Sequence, residues 1–124
     1  VLVCGTAGER PTCAEVARAA GRGAVSVAGE TDLPTLAALV QRATLAVCND
    51  SGLAHLAGAV GTPTVTLYGS TSSAWSAPLG PRVRIVQRPP VCSPCFRRTC
   101  RIGYRCLTAL SVAEGGRACR EVAG

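Results

Sequence analysis

The sequence predicts an α/β domain, a parallel sheet with helices on both faces. Two observations carry this. Short apolar runs of strand type alternate strictly with segments of helical apolar spacing, joined by loops of only a few residues. The 124 residues are 48% apolar but only 3% aromatic, so the core must be built from Ala, Val and Leu on closely packed elements.

Val1 to Cys4 reads as a strand, followed by a loop from Gly5 to Glu9 and a helix from about Pro11 to Ala20, with proline at its start and Gly21 as its stop. Ala24 to Ala28 is a second short strand. Leu33, Leu36, Ala37 and Val40 have helical spacing to about Arg42, and Asp32 is placed to cap that helix. Leu45 to Cys48 is a third strand, Leu53 to Val60 a helix closed by Gly61, and Thr64 to Tyr68 a fourth strand. Gly69 to Pro81 is a polar loop and Val83 to Val86 the last strand. Short connections between parallel strands imply right-handed crossovers, and ligands of such sheets bind beyond the carboxyl ends of the strands.

This alternation occupies residues 1–88. Residues 89–108 form a Cys/Arg-rich loop, and 109–124 a partly helical C-terminal segment that opens on the capping-box pattern Ser111-x-x-Glu114 but is weakened by Gly115 and Gly116. With no methionine and a strand at its opening, the sequence reads as a piece of a longer chain.

All 13 basic residues are arginines, against seven acids, for a formal charge of +6. Between Asp50 and Glu114 there is no acid, while Arg82, Arg84, Arg88, Arg97, Arg98, Arg101 and Arg105 lie in that stretch. Such a field favours an anionic partner, whether a phosphorylated glycolipid, an anionic membrane surface or nucleic acid; a solvated basic face is the plain alternative. The uncharged run from Ser51 to Pro81 is interrupted too often by Gly, Pro, Ser and Thr to span a bilayer, so any membrane contact is expected to be peripheral.

The most informative stretch is the turn after the third strand, Asn49-Asp50-Ser51-Gly52-Leu53-Ala54-His55. Asp50 or Ser51 is placed to cap a helix whose first N–H groups and dipole form an anion site that suits a diphosphate. Gly52 would let an oxygen approach the backbone, and His55 can reach the same anion or bond a backbone carbonyl. On generic grounds alone Asp50 reads as a plain N-cap and His55 as an ordinary helix histidine.

The pattern Asn-Asp-Ser-Gly-Leu-x-His-Leu-Ala from Asn49, followed by Gly-Thr-Pro-x-Val-x-Leu-Tyr-Gly-Ser-Thr from Gly61, resembles the signature of the ADP-heptose:lipopolysaccharide heptosyltransferases, glycosyltransferase family 9. Upstream, Ala28-Gly29-Glu30-Thr31-Asp32-Leu33 agrees with the same family in order and spacing. The resemblance implies a Rossmann-like fold, the carboxyl-terminal half of a two-domain GT-B glycosyltransferase, with a first strand and phosphate loop lying upstream. It assigns the diphosphate and sugar of the donor to Asp50, Ser51, Gly52, Leu53 and His55, puts Thr31 near the adenosine, and makes Glu9 a ribose ligand. A solvated loop acid is the alternative for Glu9.

The implied reaction is inverting transfer of heptose from ADP-heptose to a lipopolysaccharide core hydroxyl. In the family its general base belongs to the amino-terminal domain, so these residues alone are expected to bind donor without turning it over. No cofactor is required. The implied location is the cytoplasm, peripheral to the inner membrane.

Cys92, Cys95, Cys100 and Cys106 form a CxxC pair with two further thiols nearby, a spacing that admits structural zinc or, less readily, an iron–sulfur cluster. The later spacings match no standard zinc ribbon, and reduced thiols or local disulfides are the other readings. The segment Cys92-Ser-Pro-Cys95-Phe-x-Arg-x-Cys100 also resembles a cysteine-bearing subset of the family. Cys4 and Cys48 read as small core residues, whereas Cys13 and Cys119 carry no usable pattern.

Two other functional classes compete. A nucleic-acid-binding module has the charge, but only Trp75, Tyr68, Tyr104 and Phe96 for stacking and no known motif, so nucleic acid is not the expected partner. A stand-alone sugar-nucleotide-binding or interaction protein derived from a transferase would keep the donor turn and dispense with the acceptor half.

Overall fold

A computed structural model describes residues 1–124. The chain divides into two compact units, Val1–Leu36 and Ala37–Gly124. Strand pairing is parallel throughout, in a two-stranded and a three-stranded ladder.

In the first unit, β1 (Leu2–Val3) pairs with β2 (Val25–Ser26). Between them, α1 (Arg10–Ala20) starts one residue before the predicted proline and ends at Gly21, whose φ of 84° no other residue adopts without strain. Cys13 and Ala17, four residues apart on one face of α1, are buried where it packs on both strands. Cys13 is thus a core residue. Helix α2 (Leu33–Arg42) has the predicted bounds and the predicted cap, for Asp32 Oδ1 accepts from the Thr35 N–H at 2.8 Å. Thr35, through its side chain first and then its N–H, holds the Asp32 carboxyl below its ordinary pKa.

The second unit is built on β3 (Ala46–Asn49), β4 (Thr64–Tyr68) and β5 (Val83–Gln87), with β4 central. Successive strand residues face opposite ways, so the complete burial of Thr64, Val65 and Thr66 means that both faces of β4 are covered. Helices α3 (Gly52–Ala59) and α6 (Val112–Ala123) both pack on this strand. Two single-turn helices, α4 (Ser73–Ser76) and α5 (Arg105–Thr108), lie in segments expected to be loops.

In the C-terminal segment α6 runs through Gly115 and Gly116 without a break. Each glycine costs a helix about 1 kcal/mol. Against that stand the capping box between Ser111 and Glu114, the burial of Ala118, packing on β4 and β5, and ion pairs from Arg88 to Glu114 and Arg84 to Glu121.

Candidate functional site: the strand-to-helix turns

The register pairs Asn49 with Leu67 and Tyr68 with Gln87, so the carboxyl ends of β3, β4 and β5 lie along one edge of the sheet. Asp50 leaves β3 there, Ser51 is extended, and α3 begins at Gly52. Ser51 holds the N-cap position, but neither it nor Asp50 caps the helix through its side chain, which corrects that part of the sequence reading. Asp50 turns instead toward the loop after β4. Ser76 Oγ lies 3.4 and 3.5 Å from its two carboxylate oxygens.

The carrier of Ser76 is fixed from below. The fully buried Tyr68 donates from its hydroxyl to the Ser76 carbonyl at 2.6 Å. Burial, with the Asp50 charge adding to it, pushes the Tyr68 phenol above its ordinary pKa and keeps it a donor. On the same loop, Ser73 Oγ donates to Gln87 Oε1 at 2.6 Å. A Cβ on Gly58 would fall 2.4 Å from the Leu79 carbonyl, so the glycine lets α3 approach this loop. The start of α3 therefore has no capping side chain, and a carboxylate held by its neighbours stands beside it.

Gly52 is exposed, and a Cβ built on it meets no atom within 4 Å, so packing within the protein does not demand glycine here. Leu53 is half-buried. His55, one turn along α3, is exposed, and its side chain makes no hydrogen bond within the chain.

The other two predicted donor residues belong to the first unit, on neighbouring loops at the carboxyl ends of β1 and β2. Gly29, with φ 71°, donates its N–H to the Gly5 carbonyl at 2.9 Å, and a Cβ there would come within 2.7 Å of Ala7 Cα. Only glycine lets these loops meet. Glu9 is exposed, but its Oε2 already accepts from the Thr6 N–H at 2.7 Å and the Thr6 hydroxyl at 2.8 Å, which hold the carboxyl below its usual pKa. One carboxylate oxygen is thus engaged inside the loop. Thr31 is half-exposed on the loop after β2.

The Cys/Arg segment returns to the second unit's sheet edge. Cys95 and Phe96 both donate N–H groups to the Ser70 carbonyl at 3.0 Å, and Leu107 covers Gly69. Phe96 stacks on Trp75, with ring centroids 5.7 Å apart. Cys92, Cys95, Cys100 and Cys106 line one cavity of about 130 Å³ together with Arg97 and Arg98. None of these four cysteines is in a disulfide, and no three His, Cys, Asp or Glu side chains come together in a group that could hold a metal ion. The four thiols whose spacing admits a structural metal thus share a cavity without forming such a group. Of the four aromatics considered for base stacking, Tyr68 is buried.

The profile of glycosyltransferase family 9 (heptosyltransferase) matches residues 1–105. The chain belongs to this family. Lipooligosaccharide heptosyltransferase 2 of Haemophilus influenzae is 41% identical over 63 residues, 51% of this chain and 18% of that protein. Lipopolysaccharide heptosyltransferase 1 of Pseudomonas aeruginosa is 33% identical over 100 residues, 80% of this chain and 27% of that protein. The solved E. coli ADP-heptose lipopolysaccharide heptosyltransferase II superposes with a TM-score of 0.83 over 99% of this chain and 36% of its own, at 24% identity. A family 9 glycosyl transferase from Veillonella parvula gives 0.81 over 98% and 36%, at 20% identity. These two structures share the fold. The family 9 chain spans about a third of their length, and its alignments cover 27% or less of the two curated relatives named here.

Sequence reasoning missed Ser76, Tyr68 and the α4 turn. The Tyr-Gly-Ser-Thr run was legible as part of a motif, but nothing local ties a serine to a carboxylate 26 residues earlier. No helix of the chain is long and apolar enough to cross a membrane.

Proposed function

We propose that this chain binds the nucleotide-sugar donor of a heptosyltransferase, ADP-heptose, for inverting transfer to the lipopolysaccharide inner core. The observation that carries the reading is the start of α3, open at Gly52 and without a side-chain cap. Free N–H groups and the helix dipole there suit a diphosphate, and they favour it most as charge builds on the leaving group. Asp50, oriented by Ser76, is assigned to the donor sugar, and His55 to the phosphates. Thr31 and Glu9 are assigned to the nucleoside, Glu9 through the carboxylate oxygen that Thr6 leaves free.

In this reading the acceptor and the general base are supplied by the other half of a GT-B enzyme, which works on the cytoplasmic side of the inner membrane and touches it peripherally. The names of the matched relatives support the donor and the acceptor class. Calorimetry of folded protein with ADP-heptose, against UDP-sugars, tests it. Selective binding lost in both Asp50→Ala and His55→Ala is the expected result; equal binding of every nucleotide, or none, would sink it.

A further inference from the structure

The cysteine cavity carries a second chemistry, independent of donor binding. Cys100 Sγ accepts two backbone hydrogen bonds, from Ile102 N–H at 3.4 Å and Tyr104 N–H at 3.2 Å. Gly103 at φ 83° and Tyr104 at φ 52° are both left-handed, and this turn aims the Ile102 and Tyr104 N–H groups at one atom, much as anion-binding nests do. A neutral thiol needs no such cradle; a sulfur bearing negative charge is stabilised by it.

The surroundings favour the same charge. The second unit holds ten arginines and three acids (Asp50, Glu114 and Glu121), and its ion pairs are made by Arg84, Arg88 and Arg117. Arg97, Arg98 and Arg105, which line the cavity, have no acidic partner. Three more thiols share the cavity, and none of the four is tied up in a disulfide.

We propose that Cys100 is a nucleophilic thiol and that its cavity takes anionic low-molecular-weight disulfides, forming a mixed disulfide at this position. In the step, the Cys100 thiolate attacks one sulfur of the disulfide; a new S–S bond forms as the old one breaks. The departing thiolate takes the bonding electron pair and is protonated by solvent. The incoming disulfide is itself the oxidant, and one is consumed per adduct. The unpaired arginines select carboxylate-bearing disulfides over cationic ones.

The experiment uses the reduced full chain with limiting iodoacetamide at pH 7 and peptide mapping by mass spectrometry. Cys100 is expected to react at least about tenfold faster than Cys92 or Cys95, although those two are more exposed. Parity, or faster labelling of either, overturns the proposal. Glutathione disulfide and cystamine, anionic and cationic, are then compared on wild type and Arg97→Ala. Expected are faster reaction with glutathione disulfide, an adduct at Cys100 or a Cys100 disulfide formed when a neighbour displaces it, and a smaller preference in the variant. Equal rates or a cystamine preference removes the anionic class. Zinc co-purifying at one per chain, with Cys100 alkylated only after chelation, would show a metal site instead.

Discussion

Ser76 Oγ sits 3.4 Å from Asp50 Oδ2, so the single-turn helix after β4 steadies the carboxylate that opens α3. The two residues divide the work unequally. Asp50→Ala removes the charge assigned to the donor and is expected to weaken ADP-heptose binding by at least about tenfold, whereas Ser76→Ala removes one long hydrogen bond and should cost about threefold. Calorimetric titration of both variants checks the ranking, and the reverse order would mean that Asp50 is structural.

Gly52 separates packing from binding. With open space at its Cβ position, Gly52→Ala is expected to change unfolding free energy by no more than about 0.5 kcal/mol. If a phosphate oxygen occupies that space, donor affinity should nonetheless fall by about tenfold or more. Denaturant melts and titrations on the same preparation read both quantities; unchanged affinity would place the diphosphate elsewhere.

Gly29 should behave in the opposite way. Its left-handed φ and its approach to Ala7 leave no room for a side chain, so Gly29→Ala is expected to destabilise by about 1–3 kcal/mol. The urea midpoint gives the answer, and wild-type stability would show that the two loops separate without cost.

Glu114 makes stability depend on acid pH. Ser111 above all, and then Arg88, hold its folded-state pKa at about 2, against an ordinary value of 4.5. The pKa is depressed, so the folded state binds the proton less readily. The contribution is complete above pH 4.5 and is lost as pH falls through about 2. Urea midpoints from pH 7 to pH 2 should therefore converge for wild type and Glu114→Gln, with the variant less stable at pH 7. Parallel curves would mean that the carboxylate contributes nothing.

Thr66 has a buried hydroxyl without a hydrogen-bond partner in the central strand. Thr66→Val replaces it with a methyl of similar size and is expected to raise stability by up to about 1 kcal/mol. Thermal melts test this, and a loss would reveal a partner for the hydroxyl.

How much of this was legible beforehand follows from how far each interaction reaches along the chain. Asp32 bonds Thr35 three residues on, Gly21 and Gly61 stop the helices directly before them, and the Thr64–Tyr68 strand has the predicted bounds; each is a local rule of cap, turn or period. The α3 turn and its N-cap position at Ser51 were placed correctly, but the side-chain capping bond is not made, because the choice of Asp50 between its own helix and Ser76 depends on a loop packed from elsewhere. For the same reason α6 survives Gly115 and Gly116: helix propensity counts against them, and the packing that outweighs it comes from β4 and β5.

By itself, then, the sequence determined the alternation of strands and helices, their parallel order, and the family motif that sets Asp50, Gly52 and His55 on one strand-to-helix turn. Only the tertiary structure decided that Ser76 meets Asp50, that Gly29 must yield to Ala7, and that four scattered cysteines share a cavity with Cys100 cradled by two N–H groups. The physical reason is range. Periodicity and capping act within a turn or two of chain, whereas side-chain partners across loops exist only once burial of the strands has brought distant segments into contact.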